Sequence, residues 1–167
     1  VLTLPQNYVM TNTEIITTFY QAFANQDPKG MAACYAPDVV FEDPAFGRLE
    51  GKDAHDMWRM LMARGGGATE VSFGDVQANG EKASANWMAR YNYGPRRRMV
   101  VNEVHAEFII KDGKIVKHTD TFNLWRWARQ ALGLNGLLLG WSAFFQARMN
   151  DTTRGMLADF QKVDNPD

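Results

Sequence analysis

The feature that most constrains this chain is a period of two, repeated in consecutive segments joined by short turns. In KASANWMARYNYG (82–94) the odd positions Ala83, Ala85, Trp87, Ala89, Tyr91 and Tyr93 are apolar, and in MVVNEVHAEFII (99–110) Val100, Val104, Ala106, Phe108 and Ile110 share one parity. Side chains on a strand alternate between the two faces of a sheet, so each segment predicts a strand with one face for a core and one for water. The linkers GPRRR and KDGK are hairpin turns, and EVSFGDVQANG (70–80), ending in Asn-Gly, adds a strand ahead of them. This is an antiparallel meander whose apolar face needs a cover.

The last strand breaks the rule. In KIVKHTDTFN, Val116, His118, Asp120 and Phe122 fall on one face, so an imidazole and a carboxylate accompany two apolar side chains. An apolar surrounding leaves a carboxylate poorly solvated and therefore a stronger base. The pair predicts the wall of a small, mostly apolar pocket rather than solid core. The structural alternatives are an Asp at the wet rim or paired with an Arg, and a half-buried His bonded to a carbonyl or to Asp120.

The cover comes from the N-terminal third. Ile15, Ile16, Phe19, Tyr20 and Phe23 recur at helical spacing in 13–26, with Thr13 or Asn12 as a cap. A short helix spans Met31 to Tyr35, VVFEDP (39–44) alternates as a strand, PAFGRLEGKD reads as loop, and Lys52 to Arg64 carries a stripe of Met57, Trp58, Leu61 and Met62. Helices followed by a meander predict an α+β fold. Beyond it, 124–161 reads as helical pieces interrupted at Gly133, Asn135 and Gly136, with an apolar side large enough to roof the domain or meet a partner.

A chain of 167 residues suits one domain, and a net charge of −1 gives no general attraction to nucleic acid. Arg96, Arg97 and Arg98 lack interleaved aromatics, so no nucleic-acid partner is expected. Cys34 is the only cysteine, which excludes an intrachain disulfide and fits a reducing cytoplasm. Three histidines at 55, 105 and 118 have no metal-ligand spacing, and Gly65–Gly67 lacks the Lys and Ser/Thr of a phosphate loop, so no cofactor or metal is expected. LGLNGLLLGWSAFF (132–145) is too short for a transmembrane segment, and Val1–Asn12 does not read as a signal peptide.

The helix pattern ending in YAPDVVFEDP, the linker GRLEGKDA and the segment FIIKDGKIVKHTDTFN together resemble the nuclear transport factor 2-like superfamily, and within it the SnoaL-like polyketide cyclases and ketosteroid isomerases, over about residues 13–127. The resemblance implies a cone-like curved antiparallel sheet packed against three N-terminal helices. The concave face and helices would enclose a pocket, and the sheet would form a homodimer. Residues 1–12 are then an N-terminal extension and 128–167 an extra C-terminal helical segment covering the pocket or a partner surface. LGLNGLLLGWSAFF is expected to close over the pocket.

The resemblance also assigns roles. Asp120 is similar to the acid/base Asp of SnoaL-type cyclases and to the water-activating Asp of limonene epoxide hydrolases. His118 would shuttle a proton or hold the substrate. Asp43, in FEDPAFG, matches the isomerase base, although Asp before Pro is also ordinary turn chemistry. The departures are equally specific. The isomerase oxyanion-hole Tyr falls on Phe19, with Tyr20 one residue off, and its protonated Asp falls on Ala106. Where the epoxide hydrolases carry an Arg and a second Asp, the core-facing parity holds Trp87, Ala89 and Tyr91, with Arg90 on the other face. His105 groups with Glu103 and Glu107 and is expected to point outward.

Two functional classes stay open. One is a cofactor-free enzyme for a hydrophobic ring-bearing molecule (isomerase, cyclase, dehydratase or hydrolase) with Asp120 as general acid/base. Its pocket would be shaped by Phe19, Tyr20, Trp58, Trp87, Tyr91 and Asn102. The other is a ligand-binding or dimeric interaction protein of the same fold.

Overall fold

The computed structural model describes residues 8–164. Helix α1 (Asn12–Ala24) begins with a capping box: Thr11 Oγ1 accepts from the Glu14 amide at 3.3 Å and the Glu14 carboxylate accepts from the Thr11 amide at 2.7 Å. The cap is thus one residue earlier than the sequence suggests. Asp27 caps α2 (Pro28–Cys34), whose first turn takes Pro28. The chain then extends as β1 (Tyr35–Asp43), turns through 44–46 and returns as β2 (Gly47–Glu50). This β2 was expected to be loop. Four residues with Leu49 alone buried carry too little alternation to be recognised. Gly51 opens α3 (Lys52–Gly65), and Gly66 closes it in the left-handed conformation at φ 57°.

The meander follows as β3 (Glu70–Asn79), β4 (Lys82–Tyr93), β5 (Arg98–Lys111) and β6 (Lys114–Thr121). Its inward parities on β4 and β5 are those the alternation predicts. On β6 they are shifted. The register slips between Ile109 and Ile110, so Ile110 opposes Ile115 and Ile109 opposes Lys117. Val116 is the extra residue of this bulge, and Ile115, not Val116, lies in the core with His118 and Asp120. The chain ends in α4 (Leu124–Leu132), α5 (Leu134–Leu139) and α6 (Ala143–Asp164).

The sheet order is β2-β1-β6-β5-β4-β3, and β1 pairs with β6 in parallel. The expectation of a cone-like, wholly antiparallel sheet is therefore corrected. The sheet is mixed and open, without strong curling. Closure needs every strand to find two partners. Here β2, four residues long, is one edge and β3 the other, and the two do not pair.

The apolar face is filled by α1 and α3. Phe19, Tyr20, Phe23, Met57 and Trp58 interlock with Phe41, Phe108, Ile110 and Ile115. A second cluster forms at the far end of the strands, where Trp127, Ala128 and Ala131 of α4 cover Val100; Phe122 and Met149 touch both clusters. There β5 has outrun β6. Gln130 of α4 takes the place of a strand neighbour, accepting from the Val101 amide at 2.9 Å and donating to its carbonyl at 3.1 Å.

Helix α5 does not close over the interior. It lies against α4 at backbone contact, made possible by Gly136: a Cβ there would fall 1.9 Å from the Ala128 carbonyl oxygen. Gly136→Ala is expected to lift α5 off α4 with a loss of about 1–3 kcal/mol. The check is a lowered melting temperature together with faster amide exchange confined to Leu134–Leu139.

Candidate active site

Strand pairing builds the site. Parallel pairing aligns Phe41 with His118 and Glu42 with Thr119, so one step further Asp43 stands beside Asp120. Across the next strands Asp120 opposes Ala106 and Ala106 opposes Ala85. One row of the covered face therefore reads Asp43, Asp120, Ala106, Ala85, two carboxyls followed by two small side chains.

A chain of hydrogen bonds runs into Asp120. Trp58 Nε1–H donates to Tyr35 Oη at 2.9 Å, Tyr35 Oη meets His118 Nδ1 at 2.7 Å, and His118 Nε2 meets Asp120 Oδ1 at 2.8 Å. From the other side Trp87 Nε1–H donates to the same Oδ1 at 3.2 Å. An indole N–H only donates. Tyr35 thus accepts from Trp58 and spends its own proton on Nδ1, and the imidazole proton lies on Nε2, pointing at Asp120. A second proton on Nδ1 would leave the Tyr35 hydroxyl without an acceptor.

His118 is 0% exposed and Asp120 4%. The imidazole is enclosed by Phe19, Phe41, Phe108 and a stacked Trp58, with ring centroids 5.5, 5.2, 4.3 and 5.9 Å away. It is bonded to Asp120, as one of the structural alternatives has it, but fully buried rather than half-buried. Phe19 and Trp58 are part of its packing rather than a free wall. Trp87 is half-buried and holds Asp120; Tyr91 is half-buried and accepts from Trp127 Nε1–H at 2.8 Å; Asn102 is half-buried on β5. His105 is exposed and pairs with Asn86, outward as expected. His55 reaches the Ala36 carbonyl, away from the site.

Tyr20, one residue off the expected phenol position, is also fully buried, and its Oη is a buried polar atom without a partner among the described residues. Burial and then the charge of Asp120 hold this phenol well above its usual value. The helical spacing of Ile15, Ile16, Phe19, Tyr20 and Phe23 turns both aromatics inward, but it does not say that the Tyr20 hydroxyl lacks a partner.

Asp43 closes the 43–47 turn, its Oδ1 accepting from the Phe46 amide at 2.6 Å. Burial pushes its carboxyl up to about 7; the Phe46 amide opposes this, the charge of Asp120 adds to it and the Ala45 amide opposes it again. The turn is clamped from outside by α6. Asn150 Nδ2 donates to the carbonyls of Pro44 and Ala45 at 2.9 and 2.7 Å, Thr153 Oγ1 to Ala45 at 2.9 Å, and Arg154 to Phe46 and Arg48 at 2.9 and 2.8 Å. Further along, Gln161 of α6 donates to buried Asp56 of α3, and Arg59 of α3 bridges Asp56 and Asp164 of α6. The element that seals the Asp43 turn is thus α6, not LGLNGLLLGWSAFF.

Among the described residues, surface clefts open elsewhere, such as a shallow groove on the uncovered sheet face around Ser72, Asn86, Met88 and His105 and a cleft between Arg48, Glu50, Arg154 and Gln161.

The model of the SnoaL-like domain family matches residues 16–118, and the chain belongs to that family. Among solved structures it is similar to a polyketide cyclase candidate from Pseudomonas putida KT2440, with 25% identity over 73% of this chain and 98% of that one at a TM-score of 0.61. It is also similar to an epoxide hydrolase of the LEH-like type from M. tuberculosis, with 25% identity over 75% of this chain and 93% of that one and a TM-score of 0.58. A protein from Catenulispora acidiphila with a ketosteroid isomerase-like fold, in complex with trimethylamine, aligns at 16% identity over 72% of this chain and 94% of that one, with a TM-score of 0.59. No curated protein matches.

Asp43 also makes stability depend on pH. Its carboxyl has an ordinary value of 3.8 and a folded value of about 7. Between the two, the folded protein holds a proton that the unfolded chain releases, so stability is highest at the acid end and is lost as pH rises through about 7. Asp43→Asn keeps an acceptor for the Phe46 amide and has no charge to dehydrate. At about pH 8 this variant should be more stable than the wild type by on the order of a few kcal/mol, at about pH 5 by roughly a third of that, and below about pH 3.5 the two should melt alike.

Proposed function

For a member of the SnoaL-like family with this pair of carboxyls, we propose a cofactor-free enzyme for a hydrophobic, ring-bearing small molecule, with Asp120 and Asp43 as its acid/base pair. The observation that carries the reading is the adjacency of the two groups on β6 and β1, with Asp43 held at about 7. An acid/base catalyst works best when both of its protonation states are populated at the working pH. Asp43 meets that condition near neutrality and Asp120 presses on it by charge.

The roles divide by geometry. Asp120 Oδ1 is committed to His118 and Trp87, which leaves Oδ2 as the oxygen to meet a substrate proton. His118, sealed by aromatic rings, fixes the orientation of Asp120 and does not itself touch substrate. Proton removal at one carboxyl with return from the other serves isomerisation, cyclisation or dehydration, and a water activated by Asp120 would serve hydrolysis. Likeness to a polyketide cyclase candidate and an epoxide hydrolase supports this range. The half-buried aromatics Trp87 and Tyr91 and the half-buried Asn102 would line the approach. The reading includes a homodimer through the uncovered sheet face, with a particle near twice 18.9 kDa in sedimentation at micromolar concentration.

The packing around His118 favours a second reading, a ligand-binding protein with no turnover, because a filled interior leaves little room for a reacting molecule. A thermal-shift panel of steroids, polyketide-like aromatics and terpenoid epoxides separates the two. On a ligand that binds, Asp120→Asn should retain affinity and lower turnover by about 10²-fold or more. Asp43→Asn should remove a limb near pH 7 from the rate profile. Binding by the wild type without turnover of any hit would decide for the second reading.

A further inference from the structure

Helix α5 and the turn after it expose an apolar tip that no described element covers. Leu134 is 69% exposed, Leu138 60%, Leu139 58%, Trp141 71% and Phe144 72%. Contiguous exposure of this kind marks an interaction surface. Two further observations say what it meets.

The first is the backbone. The last four carbonyls of a helix normally turn to water. In α5 each has a donor within the protein: Gly136 accepts from the Gly140 amide at 2.9 Å, Leu137 from Trp125 Nε1–H at 3.1 Å, Leu138 from Trp141 Nε1–H at 2.9 Å and Leu139 from Ser142 Oγ–H at 2.8 Å. A segment so provided can leave water without stranding a polar group, the requirement that lipid imposes.

The second is charge. The thirty residues from Thr121 to Asn150 contain three arginines and no Asp or Glu, in a chain of net charge −1. Arg98 reaches the α4–α5 junction, its Cζ 3.2 Å from the place a Cβ on Gly133 would occupy. Arg129 lies 4.6 Å over the Trp125 ring. Exposed Arg148 follows Phe144 by one helical turn, and exposed Arg96 and Arg97 adjoin Arg98. Glu103 is already paired with Arg126. Two copies meeting at this tip would oppose like-charged rims, which disfavours self-association. An apolar tip ringed by arginines is the combination that seats a helix in an anionic bilayer surface.

We propose that α5 and Trp141–Phe144 form a peripheral docking tip for anionic lipid membranes, with the leucines and aromatics in the interface and Arg98, Arg129 and Arg148 at the headgroups. No described helix is long and apolar enough to cross a bilayer, so the contact is superficial. The test uses the full chain with phosphatidylcholine vesicles, with or without about 30 mol% phosphatidylserine. Flotation should show at least about tenfold tighter partitioning to the anionic vesicles, lost at about 0.5 M salt. Tryptophan emission should shift to the blue with them, and Trp141→Phe should reduce that shift. Leu138→Ser with Trp141→Ser should lower partitioning about tenfold or more, and Arg98→Glu with Arg129→Glu should abolish the preference for anionic lipid. These positions are exposed, so unchanged circular dichroism is expected. Three results would overturn the proposal: no partitioning, equal partitioning to both vesicle types, or self-association that the Leu138/Trp141 variant removes.

Discussion

The hydrogen-bonded pairing of β1 with β6 runs parallel, and the placement of the interior carboxyls follows from that direction. With Phe41 opposite His118, an antiparallel pair would bring Asp43 opposite Val116, the bulged residue, and far from Asp120. Parallel pairing sets the two carboxyls side by side instead. Burial, and to a lesser degree the charge of Asp120, pushes the Asp43 carboxyl up to about 7. Parallel strands also need a long connection, and the β1–β2 hairpin, α3 and the meander lie within it. The helices that cover the sheet and the strands that carry the acids are thereby tied into one body.

Within that body, polar groups survive because their bonding is nearly complete. A partly satisfied buried network is more costly than an apolar core, whereas a fully satisfied one fixes a single arrangement. Trp58, Tyr35, His118 and Trp87 spend every donor in one direction, toward Asp120 Oδ1. The aromatic residues serve two purposes at once: their rings supply packing and their polar edges supply the hydrogen bonds. Tyr20 is the exception, a buried hydroxyl beside the field of Asp120 with no partner among the described residues.

Much of this was legible in the residues. Period-two alternation marks β4 and β5 and their inward faces, and the inward direction of His118 and Asp120 follows from the same rule. Three things were not legible. A bulge at Val116 hides in a run of apolar residues, because Ile115 and Val116 suit the core equally well. Sheet curvature is set by which strands end as edges, and alternation carries no information about edges; the expected cone therefore gave way to an open, mixed sheet. Asp43 matches the isomerase base by resemblance but equally suits a turn before proline, and its raised carboxyl depends on burial of the turn and, after that, on the tertiary neighbour Asp120. The apolar content of the C-terminal segment shows that it needs cover, but which part lies on the domain depends on contacts far apart in sequence.

The clamp of α6 on the 44–48 turn has a consequence for the order of assembly. Its hydrogen bonds join residues 105 to 108 positions apart. At a synthesis rate of about 5–20 residues per second, the turn waits roughly 5–20 s for the groups that hold it. Until then the carbonyls of Pro44, Ala45, Phe46 and Arg48 face solvent or a chaperone, and the acid beside them is unfinished. A nascent chain can complete its sheet while still lacking a fixed Asp43, so the setting of this turn is a late event, separate from the pairing of the strands.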